Sequence, residues 1–263
     1  MTAYDELRAM LADDGSRPFV TMHDLGTGER AELSVVSAMN AIAKMANLLV
    51  DELGLGPGDV VEVDLPLHWQ AVGVIGGCWA AGVAVACGPR AGRMPGAPGA
   101  SVAAAFIGQD RLERVEQLRD QVDEVFAVSL APFGMPIRDP LPMGVMDLTT
   151  AVRVHGDRFS GGRPNADACA VTGGADLSHD EVLAQGRALA HALGLGVGGR
   201  CLIEEGAVVA GGEAPPLWLT ALALPAVTRG SVVLVRSGTD TAPAELEQLL
   251  AQERVDCALL RAR

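Results

Sequence analysis

Residues 166–200, ADACAVTGGADLSHDEVLAQGRALAHALGLGVGGR, hold the side chains and backbone best suited to chemistry. Ala166–Thr172 reads as a strand, Thr172-Gly173-Gly174-Ala175-Asp176 as a glycine-containing turn, and Leu177-Ser178-His179 as the opening of a helix. Such a turn can hold phosphate, because N–H groups converge at a helix N-terminus and the helix dipole favours negative charge there. Thr172, Gly173, Gly174 and Ser178 could supply that geometry and are candidate phosphate-binding residues. The same turn also carries features that oppose this. It contains no Lys or Arg to neutralise phosphate, and Asp176 stands where an anion would lie. A carboxylate about 4 Å from a phosphate charge costs on the order of 4 kcal/mol at an effective dielectric of about 20, enough to erase millimolar binding. Ser178-x-x-Glu181 has the form of a capping box, which would satisfy the N–H groups a phosphate needs. A plain capped helix is the competing expectation, with His179 a surface residue of its first turn.

Other candidates are thinner. Lys44 is the only lysine, so a mechanism needing a lysine must use it; its mid-helix setting predicts a solvated side chain. Gly194-x-Gly196-x-x-Gly199 matches the dinucleotide-binding fingerprint in letters. Its context is reversed, since a helix precedes it and a strand follows, so it reads as a helix stop. Arg236–Thr241 runs from strand to helix, the order of an anion site, but an N-cap at Asp240 or Thr241 with Pro243 in the first helical turn explains it fully. His68-Trp69 follows a strand and is either a cleft pair or packing at a helix start. The serines, histidines and acids form no triad signature, so no catalytic residue is assigned. His23, His68, His155, His179 and His191 show no metal-ligand spacing. Five well-separated cysteines without CxxC read as reduced core residues of a cytoplasmic protein.

The net charge of −13 leaves no basic face for nucleic acid. Leu65–Pro89 carries no formal charge, yet Pro66, His68, Gln70 and its glycines divide it into a helix and a strand rather than a membrane span. The N-terminus MTAYDELRAMLADDG is acidic and amphipathic, unlike a signal peptide.

Elements that would position the turn follow from periodicity. Pro18–His23 and Glu29–Leu33 suggest a hairpin, and Ser34–Leu53 a long helix stopped by Gly54. Strands are expected at Asp59–Asp64, Val83–Ala86, Val102–Ile107 and Glu124–Val128. Helices are expected at His68–Ala81 and at Asp110–Asp120, the latter opened by an Asp110-x-x-Glu113 capping box. Gly88–Ala100 and Ala131–Gly144 are loops by composition, and Gly156–Pro164 a connector. A pattern then recurs. Leu53-Gly-Leu-Gly-Pro-Gly-Asp59 parallels Leu193-Gly-Leu-Gly-Val-Gly-Gly199, each followed by a strand, a Trp-bearing apolar helix (Trp79, Trp218) and a Val-rich strand. The expected fold is α/β: two related Rossmann-like subdomains with mainly parallel sheets flanked by helices, 1–165 and 166–263.

The strand, shortened loop and Leu177-Ser178-His179 resemble the phosphate-loop segment of the adenylate-forming (AMP-binding, acyl-CoA synthetase-like) superfamily. The resemblance implies ATP or AMP as the candidate ligand, with Thr172, Gly173, Gly174, Ser178 and His179 as the cofactor-binding residues. Glu32–Pro89 resembles the N-terminal segment of the same enzymes, and the likeness runs from Phe19 to about Ala258. The resemblance implies the N-terminal part of such an enzyme, in a short form similar to a group of actinobacterial proteins. It implies that the adenine, ribose and hinge motifs and the lysine-bearing C-terminal domain lie beyond this sequence. The expectation is a degenerate member without ligase activity, acting as a small-ligand binding or protein-interaction module. A second copy or a protein partner would then cover the face left by truncation. The alternative is an acyl-adenylating, acyl-CoA ligase-type enzyme that binds ATP and is completed by a partner domain.

Overall fold

The computed structural model describes residues 1–87, 102–118, 121–162, 164–209, 214–237 and 243–262. In chain order the elements are α1 (Ala3–Asp14), β1 (Pro18–Asp24), β2 (Glu29–Ser34), α2 (Val35–Asn47), β3 (Val60–Asp64), α3 (Gln70–Ala81), β4 (Ala84–Cys87), β5 (Val102–Gly108), α4 (Val115–Leu118), β6 (Val122–Val128), β7 (Val145–Asp147), α5 (Leu148–Val152), β8 (Cys169–Thr172), β9 (Leu177–Ser178), α6 (His179–Ala192), β10 (Arg200–Glu204), α7 (Leu224–Thr228), β11 (Ser231–Arg236), α8 (Pro243–Glu253) and β12 (Cys257–Leu259). A wider π-helical turn, Leu48–Glu52, extends α2, and another, Leu219–Ala223, leads into α7.

These elements form two sheets in two units. The first sheet runs β7-β6-β5-β3-β4-β8-β9, parallel except for the last pair. The second runs β12-β10-β11-β1-β2, parallel except for the β1–β2 hairpin. Parallel strands covered on both faces require apolar residues throughout. Accordingly β3, β5 and β11 are almost wholly buried along their lengths.

The units are not consecutive in the chain. Residues 5–38 and 67–69 fold with 183–263, while 166–182 fold with the first unit. The division therefore differs from a cut at residue 165. The physical reason is strand pairing: β1 runs parallel to β11 from Val20↔Val232 to Asp24↔Arg236, and β8 joins β4 through Val85↔Val171.

The repeat is present in three dimensions. Gly54 and Gly194 both have positive φ, +67° and +64°, and end their helical segments as left-handed caps. Each leads to a strand, β3 or β10, that pairs in parallel with the strand following the Trp-bearing helical segment, β4 or β11. Trp79 and Trp218 are both buried. Glycine sets the helix spacing in each copy. A Cβ at Gly77 of α3 would sit 2.4 Å from the Met45 side chain on α2, and one at Gly186 of α6 would sit 2.9 Å from the Ala223 carbonyl.

Two local expectations change. Residues 109–114 form a 3-10 turn without side-chain capping, and among the described residues the α-helix covers Val115–Leu118, so Asp110-x-x-Glu113 does not act as a capping box. Cys169 is exposed and Cys87 and Cys257 are half-buried, so only Cys78 and Cys201 are core residues. Among the described residues no helix is long and apolar enough to cross a membrane. The expected Gly88–Ala100 loop lies outside the described residues.

Candidate functional site

The candidate phosphate turn is folded back on itself. β9 pairs antiparallel with β8 through Cys169↔Ser178 and Val171↔Leu177, making a tight hairpin of residues 169–178. Gly173 enables the reversal with φ +95°. Across the hairpin, the Thr172 hydroxyl donates to Asp176 Oδ1 at 2.5 Å. A hydroxyl-to-carboxylate bond is charge-assisted and among the stronger hydrogen bonds in proteins.

The N–H groups at the start of α6 are committed as well. His179 N–H donates to the Ala168 carbonyl at 3.2 Å and Asp180 N–H to the Ala166 carbonyl at 3.1 Å. Glu181 N–H donates to Ser178 Oγ at 3.3 Å, while Ser178 N–H and Oγ–H both donate to Glu181 Oε2 at 2.8 Å. This is the reciprocal capping box the spacing foretold. The Ser178 N–H and hydroxyl hold the Glu181 carboxyl below the usual carboxylate range. A phosphate docking at this helix start would have to displace three backbone acceptors or side chains and meet carboxylates at 176, 180 and 181.

His179 is not the surface residue expected from its first-turn position. Its side chain is 1% exposed and sits edge-on to Trp79, with ring centroids 6.2 Å apart at 77°. Trp79 Nε1 donates to the Ala170 carbonyl at 3.1 Å. The indole thus pins β8 from below while the imidazole fills the adjoining core, a packing role for both rings. Of the five candidate residues, then, Thr172 and Ser178 are bonded within the turn, Gly173 bends it, a Cβ on Gly174 would meet nothing within 4 Å, and His179 is core.

Lys44 is also committed. Its Nζ donates to the His155 carbonyl at 2.8 Å and pairs with Asp157 Oδ1 at 2.7 Å. Asn47, one turn on, donates to the carbonyls of Gly156 and Arg158, each at 3.0 Å. Helix α2 therefore clips the start of the connector, and Lys44 is not the solvated side chain its sequence setting predicts.

Residues not singled out in the sequence occupy the place where open α/β sheets gather ligands. β3 connects to β4 on one side and β5 connects to β6 on the other, so the carboxyl ends of β3 and β5 flank a topological switch point. Asp64, at the end of β3, pairs with Arg111 and Arg114, and Arg114 Nη2 reaches Glu62 Oε1 at 2.8 Å. Both carboxylates are essentially unexposed. Burial raises the Glu62 carboxyl above its usual value, against the opposing pull of Arg114. Two carboxylates face two guanidiniums, so formal charge cancels within the cluster. The signal in the sequence was Glu62-Val63-Asp64, two acids inside a strand otherwise apolar, since carboxylates are almost never fully buried without a partner.

The second unit has its own polar edge. At the carboxyl ends of β1, β10 and β11, Arg236 lies 3.5 Å from Asp24, and buried Glu204 accepts from Ser237 Oγ at 3.0 Å and from Arg261 N–H at 2.9 Å. His68 is buried nearby against Trp69, its ring centroid 5.6 Å away. Burial, aided by the positive charge of Arg236, lowers its pKa to about 4, so the imidazole is neutral at physiological pH. The Gly238–Thr241 part of the expected anion loop lies outside the described residues. Gly194–Gly199 joins α6 to β10, helix before strand, so the geometry of a dinucleotide site is absent there. Among the described residues no group of three His, Cys, Asp or Glu side chains is placed to hold a metal ion.

Glu253, the last residue of α8, is a hub that touches β1, β2 and β10. Its carboxylate accepts from His23 Nε2 at 2.7 Å, Arg30 Nε at 3.1 Å and Arg200 Nη2 at 2.6 Å, while Arg200 Nη2 also donates to Thr21 Oγ1 at 2.9 Å. Burial pushes the Glu253 carboxyl upward, and the hydrogen bonds from Arg200, His23 and Arg30 more than reverse this, bringing its pKa to about 2.

The fold matches solved enzymes closely. A Brucella canis acyl-CoA synthetase superposes with a TM-score of 0.74 over 98% of this chain at 16% identity, covering 47% of that enzyme. The acetoacetyl-CoA synthetase of Streptomyces lividans gives 0.71 over 93% of this chain and 40% of its own, at 17% identity. An anthranilate CoA ligase in complex with anthranoyl-AMP gives 0.70 over 97% of this chain and 48% of its own, at 14% identity. The chain thus spans less than half the length of each, and at these identities the likeness is one of fold. It has the α/β architecture of the N-terminal domain of adenylate-forming enzymes. No family model matches the sequence. A curated Mycobacterium tuberculosis protein, named only as a member of a numbered family, is 39% identical over 156 residues, 58% of this chain and 60% of that protein.

Proposed function

We propose that this chain is a degenerate AMP-binding-enzyme-like protein without ligase activity, acting as a small-ligand binding or protein-interaction module. The observation that carries the reading is the Thr172–Asp176 bond, which fills the phosphate turn with the chain's own carboxylate. Adenylation needs a turn open to the phosphates, positive charge to stabilise the transferring group, and a lysine at the reacting carboxylate. Here the helix N–H groups are bonded to Ala166, Ala168 and Ser178, the arginines of the switch point are neutralised by Glu62 and Asp64, and Lys44 is held by Asp157. ATP–pyrophosphate exchange with a panel of fatty and amino acids tests the proposal. The expected result is no exchange above background, and exchange with any acid overturns it.

A second reading has one observation in its favour, the fold match to a ligase holding an acyl-adenylate. On that reading the chain binds ATP at Thr172–Ser178 and works with a partner domain. Calorimetry separates the two: micromolar ATP or AMP binding that is lost in Gly174→Asp supports the ligase reading, and no binding excludes it.

A further inference from the structure

Two of the five cysteines stand side by side in the second unit. Cys201 of β10 and Cys257 of β12 are register partners on adjacent parallel strands, so their side chains leave the same face of the sheet. That face is opposite the one bearing Leu202 and Ala258, which pack in the core formed with α8. The register at this point is pinned on its N-terminal side. Arg200 N–H donates to Asp256 Oδ2 and Asp256 N–H to the Arg200 carbonyl, both at 2.8 Å, immediately before the two cysteines. Adjacent strands lie about 4.8 Å apart, inside the roughly 4.4–6.8 Å Cα separation that a disulfide spans. β12 is a three-residue edge strand bonded to β10 alone, so drawing its first residue inward disturbs one ladder only. Both cysteines are free thiols, Cys201 fully buried and Cys257 half-buried.

We propose that Cys201 and Cys257 form an oxidisable pair that closes into a reversible cross-strand disulfide by exchange with a low-molecular-weight disulfide. Cys257 is the attacking thiol because it is the one solvent reaches. Burial raises both thiols above the ordinary cysteine range, but the hydrogen bond from Cys201 works against this at Cys257 and with it at Cys201. The Cys257 thiolate attacks one sulfur of the small disulfide, breaks its S–S bond and releases one small thiol. The Cys201 thiolate then attacks the Cys257 sulfur of the mixed disulfide and releases the second small thiol. Two protein thiols are oxidised, one small disulfide is reduced to two thiols, and the two cysteine protons end on those thiols. A link across neighbouring strands is strained relative to a relaxed disulfide, which makes it readily reduced again.

The test uses the full chain, reduced, desalted and incubated at mildly alkaline pH with oxidised glutathione in native buffer, then digested with trypsin without reduction. The expected product is peptide Cys201–Arg229 linked to Val255–Arg261, reversed by dithiothreitol and absent from Cys257→Ser. In Cys201→Ser the expected product is a stable glutathione adduct on Cys257, because no second thiol resolves it. Cys257 sits at a half-buried edge position, so its variant is the one whose folding the exchange reports most cleanly. Circular dichroism of each variant confirms that it retains the native fold. The proposal is overturned if Cys169 is modified while Cys201 and Cys257 stay free, or if the linked peptide forms only in denaturant.

Discussion

Glu253→Gln tests the network that ties α8 to three strands. The perturbation keeps the side chain's size and removes its charge. Glu253 is held at a pKa of about 2 against an ordinary value of 4.5. That difference of roughly 2.5 units corresponds to on the order of 3 kcal/mol favouring the ionised form in the folded chain. The side chain is only 7% exposed, so solvent screening takes little from this figure. Because the folded pKa is depressed, the contribution is fully present above the unfolded value and is lost as pH falls through about 2. It is expected to be on the order of 3 kcal/mol at neutral pH and about 1 kcal/mol near pH 3. Urea denaturation of wild type and Glu253→Gln across this range measures it directly, with the midpoint shifting while the slope stays constant. A gap that stays the same from pH 7 to pH 3, or one below about 0.5 kcal/mol at neutral pH, would refute the claim that three donors hold this carboxylate ionised.

Two further outcomes bear on the turn. Thr172→Val leaves Asp176 without its hydroxyl donor and is expected to cost about 1–3 kcal/mol in thermal or urea unfolding, with no ATP binding gained by calorimetry. Ser178→Ala removes the hydroxyl's two bonds in the capping box, leaving the backbone N–H bond to Glu181 in place, and is expected to cost about 1 kcal/mol, with Ser178→Gly closer to wild type.

Much of each unit is legible from periodicity and stop signals. The run of β-branched residues in β3, the glycine caps at 54 and 194 and the repeated Trp-bearing helix are local properties, and local pattern is what a sequence displays. The partnership of β1 with β11 is not local: Val20 pairs with Val232 across most of the chain, and nothing in PFVTMHD says which strand it will meet. This is why the units interleave rather than divide at residue 165. The site was half legible. Ser178-x-x-Glu181 names its own partners because helix geometry brings those positions together. The burial of His179 depends on Trp79, a hundred residues earlier, and the engagement of Lys44 depends on a connector whose path periodicity does not describe. Glu62 and Asp64 were visible as anomalies, but Arg111 and Arg114 as their partners were not.

The clip between Lys44 and the connector makes the chain a single-site reporter of its own opening. With one lysine in the sequence, an amine-acylating reagent has one ε-amino group to find, besides the α-amine of Met1. While Lys44 is held by Asp157 and the His155 carbonyl its nitrogen is engaged on both of these partners. Acylation at position 44 is therefore expected to proceed through molecules in which these two contacts have opened. Its rate, compared with that of a free lysine analogue, counts how often that happens, and any ligand or partner that seats on this region will announce itself by changing that count.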